Sequence, residues 1–80
     1  MEWKFRFDLF EKEFSSLLEF GDSLSKIAKE IGVSKATLSR VRQGKTVDVN
    51  TLINIHEWMM ENRHSKKGLN DYIKHVLDED

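Results

Sequence analysis

Between Ser23 and Lys45 the chain concentrates groups that carry positive charge or donate hydrogen bonds. Lys26, Lys29, Lys35, Arg40, Arg42 and Lys45 are interleaved with the hydroxyls of Ser23, Ser25, Ser34, Thr37 and Ser39 and the amide of Gln43. Gathered in this way, such side chains point to binding rather than to bond-making. They bind a polyanion, by attraction to phosphate and by paired donors, such as a guanidinium, that match the edge of a base. The formal net charge of −1 hides this concentration. Residues 1–25 carry three basic and six acidic side chains, residues 26–45 six basic and one acidic, and residues 46–80 four basic and seven acidic, for sums of −3, +5 and −3. A basic stretch between acidic flanks is an electrostatic footprint, and the acidic end Asp78-Glu79-Asp80 reads as a solvated tail.

Other chemistries find less support. His56, His64 and His75 show no i, i+4 pair and have no cysteine to join them, so no metal site and no cofactor is expected. A serine, a histidine and an aspartate exist, but no nucleophile motif surrounds any serine, and Glu11 and Glu13, two apart on a helix, point in different directions. The chain is read as non-enzymatic. Its 80 residues fit one domain, and the absence of cysteine excludes disulfide staples and suits a reducing cytoplasm. No uncharged apolar run approaches the roughly 18 residues of a membrane span, so a soluble, cytoplasmic protein is expected.

The elements that must position the basic stretch are legible as helices. Trp3-Lys-Phe5-Arg-Phe7 alternates with period two, as a short edge strand or an arm would. Asp8-Leu-Phe-Glu11 has the form of a capping box, and Phe10, Phe14, Leu17 and Leu18 recur at helical spacing up to Gly21. Ser23 caps a second helix with Leu24, Ile27, Ala28 and Ile31 on one face, and Gly32 ends it. Ser34 caps a third that runs to Gly44. Asp48 caps a fourth, whose apolar residues Val49, Leu52, Ile53, Ile55, Trp58, Met59 and Met60 cover more than one stripe and so imply two contacts. After the polar stretch Asn62 to Gly68, residues Leu69, Tyr72, Ile73, Val76 and Leu77 predict a fifth helix. The expectation is an all-α fold, a compact five-helix bundle, with a core at about 9–61 and a C-terminal helix at about 69–78 for packing or dimerisation.

The second and third helices have the spacing of a helix-turn-helix. Ala28 leaves room for the crossing helix, Gly32 turns the chain with positive φ, and Ile27, Ile31, Val33, Leu38 and Val41 fill the angle between the two. At about 100° per residue Leu38 and Val41 face inward, which turns Ala36, Ser39, Arg40 and Gln43 outward with Lys35 and Arg42 at the edges. Here the sequence resembles the lambda-repressor-like (Cro/repressor, XRE) family of helix-turn-helix DNA-binding proteins. The likeness runs from Leu9 to about Met60 and rests on Ile27-Ala28-x-x-Ile31-Gly32-Val33-Ser34, Leu38-Ser-Arg-Val41, Gln43-Gly44-Lys45, and Leu52 with Trp58-Met59.

The resemblance implies a regulator, a repressor of bacterial or phage type, that binds a near-palindromic operator in double-stranded DNA as a homodimer. By the same resemblance Lys35, Ala36, Ser39 and Arg40 match base-reading positions, and Gln43, Gly44, Lys45 and Thr46 match a phosphate-binding loop. Ser23, Ser25, Lys26, Ser34, Thr37 and Arg42 complete the phosphate set expected from the chain's own hydroxyls, cations and helix N-termini. Leu24 departs from the family, which often has a polar phosphate-binding residue at the start of the second helix; Ser23, Ser25, the backbone amides there or Lys26 are the substitutes. For the dimer contact the candidates are Trp58 and Met60 on the fourth helix, Tyr72, Ile73, Val76 and Leu77 on the fifth, and the aromatic arm Trp3 to Phe7. The alternative is a protein-interaction module on the same fold, such as an antitoxin or anti-effector, that grips a protein partner through its acidic ends or its aromatic arm.

Overall fold

Four helices and a two-stranded ribbon make up the computed structural model, which describes residues 3–75. Strand β1 (Trp3–Phe5) is followed by α1 (Phe7–Ser16), α2 (Leu24–Ile31), α3 (Lys35–Arg42) and α4 (Val49–Arg63), then a 3₁₀ turn (Leu69–Tyr72) and strand β2 (Ile73–His75). The strands pair antiparallel in the register Trp3 with His75, Lys4 with Lys74 and Phe5 with Ile73. Among the described residues no helix is long and apolar enough to cross a membrane.

Three of the four helix starts follow from their capping side chains. Ser23 Oγ accepts the Lys26 N–H at 3.2 Å, Ser34 Oγ the Thr37 N–H at 3.0 Å, and Asp48 Oδ1 the Thr51 N–H at 3.1 Å. Each bond satisfies an amide that a helix N-terminus leaves without a partner, and each contributes about 1 kcal/mol. Donation from the Thr51 side chain, and then from its backbone N–H, holds the Asp48 carboxyl below its ordinary range. Helix α1 departs from expectation. It begins one residue before Asp8, with Arg6 in the cap position and no side-chain cap. Asp8 instead takes a two-pronged bond from Arg6, Nε to Oδ1 at 2.9 Å and Nη2 to Oδ2 at 2.7 Å, and that bond lowers its carboxyl to about 2.

The same helix stops at Ser16 rather than near Gly21, and the Leu17 carbonyl that follows is taken from outside it. Arg63 at the end of α4 donates Nε to the Leu17 carbonyl at 3.2 Å and Nη2 to Asp22 at 3.1 Å, and Asp22 also accepts the Glu19 N–H at 2.7 Å. The amide donation from Glu19, followed by the Arg63 guanidinium, depresses the Asp22 carboxyl. With its guanidinium 4.8 Å from the Trp58 ring centroid, Arg63 pins the α1–α2 connection to α4.

The expected fifth helix is replaced. Leu69 to Tyr72 form one 3₁₀ turn, closed by the Gly68 N–H donating to Asp71 at 2.8 Å, and the chain then extends into β2. The i, i+3, i+4 spacing that predicted a helix is met by this turn, which sinks Tyr72 between Phe5 and Phe10 at ring distances of 5.9 and 5.2 Å. Strand pairing then supplies the backbone partners that β1 would lack as a free arm. Val76 and Leu77 lie outside the described residues.

The core joins Phe10 and Phe14 of α1, Ile27 and Ala28 of α2, Leu38 and Val41 of α3, Leu52, Ile55, Trp58 and Met59 of α4, and Tyr72. Trp58, 4% exposed, and Tyr72, 1% exposed, are therefore core residues and not the dimer surface expected of them. The fourth helix carried more apolar residues than one contact needs; Leu52, Ile55, Trp58 and Met59 are the ones the bundle covers, and Val49, Ile53 and Met60 remain outside.

Burial of Tyr72 has a consequence at alkaline pH. The Glu13 and Asp71 carboxylates add to the cost of desolvation and push its phenol up from 10.0 to about 12. Below pH 10 the hydroxyl is protonated whether the chain is folded or not; above it the unfolded chain releases a proton that the folded chain keeps, so stability falls as pH rises toward 12. Since the chain has one tyrosine, an ultraviolet absorbance titration reads this group alone. A midpoint near 12 is expected for the folded protein, and an ordinary midpoint near 10 would contradict the burial.

Candidate nucleic-acid interface

Helices α2 and α3 meet through a tight turn. Gly32 has φ 93°, a left-handed conformation that side chains with a Cβ rarely adopt, and the Gly32 and Val33 amides both donate to the Ala28 carbonyl, at 2.8 and 2.9 Å. Ile27, Ala28, Leu38 and Val41 close the inner angle and are all buried. What remains outside is polar and cationic. Lys35, Ala36 and Arg40 are exposed along α3 and Ser39 is half-buried, its hydroxyl 3.4 Å from the Gln43 amide that donates to it. Arg42, Gln43, Lys45 and Thr46 are exposed at the end of α3 and in the loop beyond it.

The base-reading and phosphate sets predicted from sequence thus lie on neighbouring elements. Ser23, Ser25 and Lys26 at the start of α2 and Lys29 in its last turn line a shallow groove with Val33 and Lys35, so one side of α2 and the first residue of α3 share one depression. Ser23 and Ser34 are already engaged as caps, and the Ser34 and Thr37 hydroxyls lie 2.8 Å apart. Leu24, the departure from the family pattern, is half-buried against the core and presents no polar group. The free donors at that end are therefore Ser25, Lys26 and the helix amides.

Charge is the strongest feature of this face. Among the described residues the ion pairs involve Arg6, Arg63 and Lys67, and none of the six cations from Lys26 to Lys45 has a carboxylate within 4 Å. The one acid in that stretch, Glu30, faces the other way and accepts the Trp58 indole N–H at 3.1 Å. These six cations repel one another, and a polyanion would relieve that repulsion.

The histidines have structural placements. His56 is buried in α4, and its Nε2 donates to the Lys67 carbonyl at 2.8 Å, since a carbonyl only accepts. His64 ends α4 in a left-handed conformation with φ 57°, and His75 pairs with Trp3 in the ribbon. Among the described residues no three His, Cys, Asp or Glu side chains group as a metal site.

Two features escaped the sequence. One is the Arg63 cluster, whose partners lie 41 and 46 residues away and leave no local signature. The other is the direction of Arg40, whose Nη2 donates to the Thr46 carbonyl at 3.1 Å. No family model, curated protein or solved structure significantly matches the chain.

Proposed function

We propose that the chain is a sequence-specific, double-stranded-DNA-binding regulator of the lambda-repressor-like helix-turn-helix type, a repressor that acts as a homodimer, with α3 entering the major groove. The observation that carries this reading is the set of six cations with no ion pair among the described residues, on two helices joined by a Gly32 turn and on the loop after them, around a short outer face of Lys35, Ala36 and Ser39. Lysines and helix ends fit phosphates, which fix orientation, and the outer residues of α3 fit base edges, which carry sequence. A cytoplasmic setting suits a chain without cysteine.

Dimerisation follows from the size of the reading face. Each base pair contributes roughly 1–3 kcal/mol of discrimination, so one three-residue face selects poorly, and a two-fold axis doubles the site. Met60, 47% exposed, keeps its place as a contact candidate, and it shares one side of α4 with Val49 and Ile53. Half-buried Ile73 lies beside Phe5 in the ribbon.

Selection from a random duplex pool at about 150 mM salt, with sequencing of the retained DNA, tests the whole reading. A pseudo-palindrome with half-sites about one helical turn apart is expected. Retention without enrichment, or none at all, would reject it and favour the protein-interaction module, for which the exposed rings of Trp3 and Phe20 are the specific support.

A further inference from the structure

Arg40 is held differently from the other cations of α3. Its own carbonyl accepts the Gln43 and Lys45 amides at 3.1 and 3.0 Å, and its guanidinium donates to the Thr46 carbonyl at 3.1 Å. Backbone and side chain of one residue therefore fasten the stretch 43–46, across Gly44 with its left-handed φ of 74°. Around the helix, with Leu38 and Val41 inward, Ala36 and Gln43 point most nearly outward, and Arg40 lies about 50° from that direction, on the Thr37 side. That side is the groove between α3 and the start of α4, where Arg40 sits with Thr37, Thr46, Val47, Asp48 and Thr51. The Asp48 carboxylate lines the same groove and opposes the approach of a phosphate to it.

We propose that Arg40 is a positioning residue, which sets the loop that presents Lys45 and Thr46 to the phosphate backbone and leaves base discrimination to Lys35, Ala36 and Ser39. This rests on the DNA-binding reading and corrects the base-reading role that the helical spacing alone gives Arg40. A guanidinium bonded to the Thr46 carbonyl is directed along the groove toward the start of α4 and not outward from α3, and its removal frees the loop without touching a base.

The test compares the wild type with R40M, R40K, K45A and the double variant R40M/K45A, on the motif that the wild type selects from a random duplex pool. R40M, which keeps an unbranched apolar stem without a donor, is expected to select the same motif and to bind all sequences about 10-fold more weakly. If Arg40 acts through the loop, R40M and K45A do not multiply: the double variant should lose about 10- to 20-fold, where independent contacts would lose about 100-fold. R40K should return to within about threefold of the wild type, because one ammonium N–H suffices for a carbonyl but cannot replace a planar fork on guanine.

In the protein without DNA, R40M should speed hydrogen exchange at Lys45 several-fold and leave α1 and α4 unchanged. A changed base preference at one position per half-site, or effects that multiply, would overturn the assignment. Unaltered exchange at Lys45 would overturn it as well. A wild type that selects no motif, while R40M still loosens the loop, would remove the DNA reading and with it the role in binding, and would leave Arg40 as a loop latch alone.

Discussion

Replacing Phe14 with alanine should remove about 3–5 kcal/mol of folding stability, among the largest losses expected from a single truncation in the chain. Phe14 is fully buried in α1, and its ring centroid lies 6.0 Å from that of Trp58 in α4, on whose ring the Arg63 guanidinium rests. The deletion thus opens a cavity where the first and last helices meet, beside the cluster that fixes the α1–α2 connection. A domain of this length has about 4–12 kcal/mol in total, so the variant should be largely or marginally unfolded near 37 °C. Urea denaturation followed by circular dichroism measures the effect as a lower midpoint at unchanged slope. A loss below about 1.5 kcal/mol would mean that α1 and α4 do not pack through these two rings.

The second large effect is on DNA and should leave the fold intact. Ala36→Asp places a negative charge on the outward side of α3, where the proposed interface meets the duplex. Like charges brought together across an interface cost several kcal/mol, so affinity should fall at least about 100-fold. Stability should not fall with it. Ala36 is exposed, and as the second residue of α3 it occupies the first turn, where a carboxylate interacts favourably with the helix dipole. Fluorescence anisotropy on the selected operator, beside a urea titration of the same sample, separates the two quantities. Affinity within about threefold of the wild type would place the DNA on another face.

Most of the local signals in the sequence translated into structure. Ser23, Ser34 and Asp48 cap the helices that their residue types predict, and Gly32 takes the left-handed turn between α2 and α3. The inward and outward sides of α3 follow from Leu38 and Val41, and the basic character of residues 26–45 survives as a face without ion pairs among the described residues.

What could not be read depends on partners that the local pattern does not single out, many of them distant. Leu69, Tyr72 and Ile73 fit a helix and a turn-plus-strand equally well, and the choice is made by β1 at the other end of the chain. In α4 the apolar residues outnumber the space that the core offers, so the burial of Trp58 and the exposure of Met60 depend on packing and not on periodicity. Arg6 takes Asp8 from its expected capping role because their spacing allows a two-pronged bond. Arg40 shows the same limit at the candidate site: helical spacing gives its position around the axis, and the Thr46 carbonyl gives its direction.

The ribbon also bears on how the chain reaches this structure and leaves it. Phe5 and Ile73 are paired across 68 positions of sequence, while α2, the turn and α3 are joined by contacts between near neighbours. Closing so long a loop costs entropy that is recovered only once the helices between its ends have condensed, so the ribbon belongs to the late, native side of the folding barrier. Weakening it therefore leaves the rate of folding nearly untouched and shortens the lifetime of the folded state. Phe5, packed against Phe7, Phe10 and Tyr72, thus acts as a kinetic fastener: its contacts govern how long the finished domain lasts rather than how quickly it forms.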